Sequence, residues 1–162
     1  MEVIIRKVQI EDLDSVTKIE SICFPKAEAA TYDSFLYRIK TFPDSFYVAT
    51  IDKKIIGFIN GCVTDSNVII DELYEANGGH NPLGKNQTVF GLDVLPKYQH
   101  KGIACKLMRH LMEEAKKSNR EKMVLTCKEN LIGFYEQFGY KNMGISDSTH
   151  GGVVWYDMIA DL

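Results

Sequence analysis

A mixed α/β fold carried by one domain over residues 1–162 follows from three observations. The chain has 162 residues, 45% of them hydrophobic, which suits one ordinary core with no linker or second domain. Short runs rich in Val, Ile, Phe and Thr alternate with stretches whose apolar residues recur at helical spacing. A turn-like run, Gln99-His100-Lys101-Gly102-Ile103-Ala104, follows an apolar segment and opens a long amphipathic helix.

Residues 3–8 read as the first strand. Leu13, Val16 and Ile19 recur at helical spacing behind Glu11-Asp12, which predicts a helix running toward Phe24 and ended by Pro25. Thr31 caps a second helix through Phe35, Leu36 and Ile39, which stops before Phe42-Pro43 because a residue preceding proline avoids helical backbone. Residues 46–51 and 55–63, joined by Asp52-Lys53-Lys54, read as a hairpin. Residues 64–87 are the least regular, with Gly78-Gly79, Asn81-Pro82-Leu83-Gly84 and acids at Asp71, Glu72 and Glu75; a long loop inside a compact domain is more often functional than idle.

A strand at 88–94, a helix at 102–117, a strand at 123–127, a short helix at 131–138 and two last strands near 140–145 and 153–158 complete the order. In the long helix Ala104, Leu107, Met108, Leu111 and Ala115 make one apolar stripe. In the short helix Asn130 is suited to the N-cap and Gly139 to the residue past the C-terminus, with Leu131, Phe134, Tyr135 and Phe138 as the stripe. By pattern alone Tyr135 is a core tyrosine whose hydroxyl needs a partner.

The formal net charge is -3, yet between Val94 and Met112 stand Lys97, Lys101, Lys106, Arg109, His100 and His110 with no acid. A basic stripe confined to one helix and its lead-in fits a discrete polyanion better than nucleic acid or a membrane surface. A helix start leaves four amides without intrahelical partners at the positive end of the macrodipole, which suits a pyrophosphate, and Gly102 allows close backbone approach. An ordinary solvated helix face beside a glycine turn accounts for the same residues equally well.

Cys23, Cys62, Cys105 and Cys127 are widely spaced and lack any Cys-x-x-Cys pair, so they read as buried reduced thiols rather than disulfides or metal ligands, and no metal is expected. The N-terminus turns to charge too early for a signal peptide, and no apolar run approaches the roughly 20 residues of a membrane span. The expectation is a cytoplasmic protein, monomer or homodimer, with no nucleic-acid or membrane partner.

The run Leu92-Asp93-Val94-Leu95-Pro96-Lys97-Tyr98-Gln99-His100-Lys101-Gly102-Ile103-Ala104, then Leu125-Thr126-Cys127, then Asn130 with Phe134-Tyr135-Glu136-Gln137-Phe138-Gly139-Tyr140, resembles the GNAT superfamily of acetyl-CoA-dependent N-acetyltransferases. Cys23-Phe24-Pro25 with Glu28-Ala29-Ala30, the Gly78-Gly79-His80 turn and residues 134–140 are similar to its arylalkylamine (serotonin-type) branch. The resemblance implies a mixed, mainly antiparallel central sheet of about seven strands flanked by about four helices, with a splayed strand gap holding acetyl-CoA. It also implies that backbone of Leu92, Asp93 and Val94 meets the acetyl and pantetheine portions. Gln99 would contact the cofactor, His100, Lys101, Gly102, Ile103, Ala104 and Cys105 would wrap the pyrophosphate, Asn130 would meet the pantetheine arm, Phe134 would pack beside it, and Tyr135 would be the general acid.

The chemistry needs such parts. An alkylammonium with a pKa of roughly 10 has no lone pair to attack a thioester at neutral pH. Charge developing on the carbonyl oxygen needs a donor, which the Val94 amide supplies, and the departing thiolate needs a proton, which a tyrosine hydroxyl supplies. Direct transfer is implied, so no cysteine nucleophile is required.

One departure concerns the base. Thr88 and Phe90 stand where the animal arylalkylamine enzymes carry two proton-relaying histidines. His80, Glu72, Asp93, His150 or an ordered water chain remain candidates, with His80 ranked first. Pro25 matches a proline lining the amine pocket, with Phe24 and Tyr32 as an aromatic wall beside it and Phe35 read as core. Transfer to a small arylalkylamine or polyamine leads, acetylation of a protein N-terminus or lysine is the alternative, and a non-catalytic acyl-CoA sensor is the third reading.

Overall fold

The computed structural model describes residues 2–74 and 79–162; the expectations placed on Glu75 and Gly78 lie outside them. In chain order the elements are β1 (Ile4–Lys7), α1 (Leu13–Cys23), α2 (Tyr32–Thr41), β2 (Phe46–Ile51), β3 (Lys54–Asn60), β4 (Val63–Thr64), β5 (Asn86–Val89), β6 (Gly91–Val94), α3 (Ile103–Lys117), β7 (Lys122–Cys127), α4 (Ile132–Glu136), β8 (Lys141–Ile145) and β9 (Tyr156–Asp161). The chain divides into two compact units: Met1–Asn60 with Gly91–Leu111, and Gly61–Phe90 with Met112–Leu162.

The first unit holds an antiparallel sheet in the order β1-β2-β3-β6. The predicted hairpin forms with a two-residue turn in which Asp52 and Lys53 both take left-handed φ, 50° and 67°, the conformation that matches strand twist. Thr31 caps α2 as expected, its Oγ1 accepting from Ser34 N at 3.2 Å. Leu13, Val16 and Ile19 from α1 and Phe35 and Ile39 from α2 bury against Phe46, Val48 and Phe58. The Phe35 and Phe58 rings meet edge-on at 5.5 Å.

The second unit holds a sheet in the order β4-β5-β7-β9-β8, parallel only between β5 and β7. Two strands read as continuous are each broken, so two sheets replace the expected single one. The segment 55–63 divides at Gly61-Cys62, where a Cβ on Gly61 would lie 1.9 Å from the Thr88 carbonyl oxygen and Thr88 Oγ1 accepts from Cys62 N at 2.9 Å. The segment 88–94 divides at Phe90, whose ring packs on Tyr74 at 5.0 Å.

Smaller differences have local causes. The last strand starts at Tyr156 rather than 153 because a 3-10 turn at His150–Gly152 precedes it, with Gly151 and Gly152 left-handed and Trp155 Nε1 donating to His150 O at 2.7 Å. Asn130 does not cap α4; it lies inside a 3-10 turn at Glu129–Leu131. Gly139 does take the left-handed φ expected past a helix end, +94°. Leu131 is exposed rather than part of the α4 stripe, and on α3 it is Ile103, more than half-buried Ala104, that joins Leu107, Met108, Leu111 and Ala115.

Gly61→Ala forces its new methyl into the Thr88 backbone, which cannot yield as a flexible side chain would. We expect a loss on the order of 3 kcal/mol or more in urea unfolding.

Candidate active site

Strand β6 ends the four-stranded sheet, and its hydrogen-bond parity determines what its outer edge offers. Leu95 N donates to Ile56 O at 2.9 Å, so in the register Phe58↔Asp93 and Gly57↔Val94 the residues bonded to β3 are Asp93 and Gly91. The amides and carbonyls of Leu92 and Val94 therefore point away from β3. Val94 O is engaged there by Gln99 Nε2 at 2.9 Å and by the Cys23 thiol at 3.4 Å. A thioester arm laid along this edge would find strand-like partners at Leu92 and Val94.

Beyond β6, Pro96–Tyr98 forms a 3-10 turn, and His100 (φ 62°) and Gly102 (φ 82°) take left-handed conformations just before α3. Such alternation turns successive N–H groups to one side and builds an anion-binding concavity. The first intrahelical bond of α3 runs from Lys106 N to Gly102 O at 3.1 Å, so the preceding amides have no carbonyl partner within the helix. Nothing lies within 4 Å of the place a Gly102 Cβ would occupy. Lys97, Lys101, Lys106 and Arg109 are exposed, whereas His110 packs edge-on against Tyr47 at 4.5 Å instead of facing a phosphate. These features fit the pyrophosphate and pantetheine of coenzyme A.

Between α1 and α2, Phe24 is half-buried and Pro25 and Tyr32 are exposed, while Phe35 is fully core. Beneath this loop are polar groups that periodicity did not single out. Glu20 (6% exposed), Arg38 (5%) and Asn60 (1%) surround Asp93 (1%). Arg38 Nη1 donates to Asn60 Oδ1 at 2.9 Å, and Ala30 N donates to Glu20 Oε2 at 2.8 Å. Burial first, then the neighbouring Glu20, push the Asp93 carboxyl well above the usual carboxylate range, with Arg38 opposing. A signal existed: Glu20 falls one heptad after Leu13 on the apolar face of α1, and Arg38 three residues after Phe35 on that of α2.

In the second unit Tyr135 is half-buried on α4, its ring edge-on to Phe134 at 5.1 Å and to Tyr140 at 5.9 Å. Burial, aided by Tyr135, raises the Tyr140 phenol well above its usual value, so Tyr140 stays protonated. Asn130 lies on the wall of an open groove of about 680 Å³ with Lys128, Ile145 and Tyr156. His80 Nδ1 accepts from Val63 N at 3.1 Å, so one ring nitrogen serves the backbone. Tyr74 lies between Phe90 and His150, 5.0 Å from each ring and stacked on His150 at 15°, with its hydroxyl 3.1 Å from Thr126 Oγ1. Asp71 accepts from Ser148 Oγ and from Thr149 N, which gives that acid a structural duty, while Glu72 is exposed.

The four cysteines are free, as expected, but only Cys62 and Cys127 are buried, Cys23 and Cys105 being half-exposed. Burial pushes the Cys127 thiol up to about 11. Among the described residues no group of three or more His, Cys, Asp or Glu side chains is arranged to hold a metal ion, and no helix is long and apolar enough to cross a membrane.

An open strand edge leading through a glycine turn into a basic helix start defines a protein that handles an acyl thioester of a nucleotide-bearing cofactor. The comparisons agree. The profile of the Acetyltransferase (GNAT) family matches residues 13–140, and the chain belongs to that family. It is an acetyl-CoA-dependent N-acetyltransferase of the GNAT type. An N-alpha-acetyltransferase of Saccharolobus solfataricus is 26% identical over 146 residues, covering 87% of this chain and 81% of that protein. One from Sulfurisphaera tokodaii is 25% identical over 145 residues, with the same shares of each chain covered. The loading GNATL domain of CurA from Lyngbya majuscula superposes with a TM-score of 0.86 at 16% identity, over 99% of this chain and 98% of that one, a likeness of fold.

Two outcomes are expected. Gly102→Val strains a left-handed position by about 1–2 kcal/mol, so coenzyme A binding measured by calorimetry should weaken roughly tenfold while the fold persists. Burial, and then Arg120, depress His80 below 6.5, so the unfolded chain takes up a proton first as pH falls. The His80 contribution to stability is thus present above pH 6.5 and lost as pH falls through the lower folded value; His80→Gln should flatten this limb of urea midpoints against pH.

Proposed function

We propose that residues 1–162 form one cytoplasmic acetyltransferase domain that moves an acetyl group to the primary amine of a small arylalkylamine. The observation that carries this reading is the latch in the second unit. The irregular segment after β4 is tied down at Asp71 on Ser148 and Thr149, and at Tyr74 between Phe90 and His150 with its hydroxyl on Thr126. Residues 71–74 are thereby held in place, and half-buried Phe90, Tyr74, His150 and Trp155 offer ring surface suited to an aromatic acceptor.

On this reading the β6 edge and the α3 start bind and orient acetyl-CoA, which supplies an activated acetyl group on a thiol leaving group. The Val94 amide, turned away from β3, donates to the carbonyl oxygen as negative charge develops there. Tyr135 gives its hydroxyl proton to the sulfur as it leaves. Phe24, Pro25 and Tyr32 contact the acceptor. His80 keeps a place among the candidate bases, but with Nδ1 accepting from Val63 N the neutral ring carries its hydrogen on the other nitrogen, so it takes up a proton only by giving up that backbone bond.

Acetylation of a protein N-terminus is a second reading, favoured by the two archaeal relatives that carry the name N-alpha-acetyltransferase. Thiol release from acetyl-CoA with 2-phenylethylamine, spermidine, and peptides beginning Ser or Ala separates the two. The highest kcat/KM is expected with 2-phenylethylamine; a preference for peptides would overturn the small-amine reading. Tyr135→Phe should lower kcat about 10²-fold with coenzyme A affinity unchanged, because its hydroxyl acts only as the thiolate departs.

A further inference from the structure

We propose that Glu20 and Asp93 form a proton-sharing carboxyl pair which takes the ammonium proton of the acceptor amine past the bare Cα of Gly91. The inference rests on the amine-acetylation reading above and supplies the base that Thr88 and Phe90 do not.

Three acceptor atoms, Glu20 Oε1 and both Asp93 carboxyl oxygens, are buried without a hydrogen-bond donor among the described residues. Two facing ionised carboxylates cannot bond to one another, since each only accepts; once Asp93 keeps its proton it donates to Glu20, and the pair carries one negative charge. The surroundings favour that state. Asp93 is raised by burial, Glu20 and Cys23 and opposed by Arg38, the direction that a proton held on Asp93 requires. The charged and titratable groups facing the pair are Cys23 from α1 and Arg38 from α2, with uncharged Asn60 from β3.

Gly91 marks the approach. It is half-exposed, and a Cβ built there would meet Asp93 Oδ1 at 3.2 Å, Asn60 Nδ2 at 3.5 Å and Glu20 Oε1 at 3.7 Å. The polar atoms thus lie directly beneath a position that any side chain would close. The pair is also fastened to the acceptor loop, because Glu20 Oε2 takes the Ala30 amide and the Cys23 thiol bonds Val94 O. In the proposed step an N–H bond of the ammonium breaks, its electron pair stays on nitrogen as the attacking lone pair, and the proton moves to Glu20 Oε1. The pair then returns this proton to solvent. The second proton that nitrogen loses on forming the amide replaces the one Tyr135 gives to sulfur.

The test uses Glu20→Gln, Asp93→Asn, Gly91→Ala and, as a rival, Glu28→Gln, a buried acid of the loop between α1 and α2. Substrates are 2-phenylethylamine and its far less basic β,β-difluoro analogue, which arrives largely unprotonated near neutral pH. The wild type should show the infrared carbonyl band of a buried protonated carboxylic acid at neutral pH, absent from Asp93→Asn and kept by Gly91→Ala. Glu20→Gln should lose about 10²-fold in kcat/KM for 2-phenylethylamine near neutral pH, recover toward high pH, and lose little with the difluoro amine. Gly91→Ala should share that selective loss. If Asp93→Asn does not fold, Glu20→Gln, whose amide oxygen still accepts from Ala30, carries the test. Equal losses with both amines, absence of the band, or selective loss in Glu28→Gln instead of Glu20→Gln would overturn the proposal. A wild type active only on peptides would overturn the acceptor class alone, and the band with the Glu20→Gln pH limb on that peptide would still decide the pair.

Discussion

The first unit depends on the burial of Asp93 in a strand that has a neighbour on one side only. An ionised carboxyl at 1% exposure costs several kcal/mol unless charge and hydrogen bonds offset it; both Asp93 oxygens lack a hydrogen-bond donor among the described residues, and burial pushes the carboxyl well above its usual range with only Arg38 opposing. The face of β6 turned toward α1 and α2 is therefore polar, and glycine at 91 leaves room for it. The outer edge, by parity, keeps the backbone groups of Leu92 and Val94 out of the sheet. One short strand thus presents a polar face toward α1 and α2 and leaves its other edge without a strand partner among the described residues.

The second unit is organised by a different device. Side-chain contacts replace ladder bonds wherever a strand is interrupted, Thr88 Oγ1 serving Cys62 and the Phe90 ring serving Tyr74. Irregular backbone remains ordered when its polar groups find such partners. The 3-10 turns at Asp71–Tyr74 and His150–Gly152 are held together in this way, by a carboxylate on two donors and an imidazole stacked on a phenol.

What periodicity could reach was considerable. The stripe of α1, that of α3 from Leu107 to Ala115, the Thr31 cap, the proline that follows α2 and the glycine turn before α3 stand where local spacing put them, because each is decided by residues within a turn or two of each other. The family was readable from residues 92–104 with 125–140, since the motif is contiguous. Asn130 misled because a capping side chain was inferred from its type, while the backbone before α4 tightened into a 3-10 turn.

By itself the sequence determined the element order, the apolar faces and the cofactor motif, all of which are short-range consequences of side-chain type and spacing. Only the tertiary structure decided that two apparent strands break at Gly61 and Phe90, since that follows from a carbonyl and a ring brought in from distant positions. Only it decided that Glu20, Arg38, Asn60 and Asp93, spread over more than seventy residues of chain, meet in one buried cluster. Burial of polar groups is a property of packed elements: no single segment carries the low dielectric and the neighbouring charges that together raise the Asp93 carboxyl.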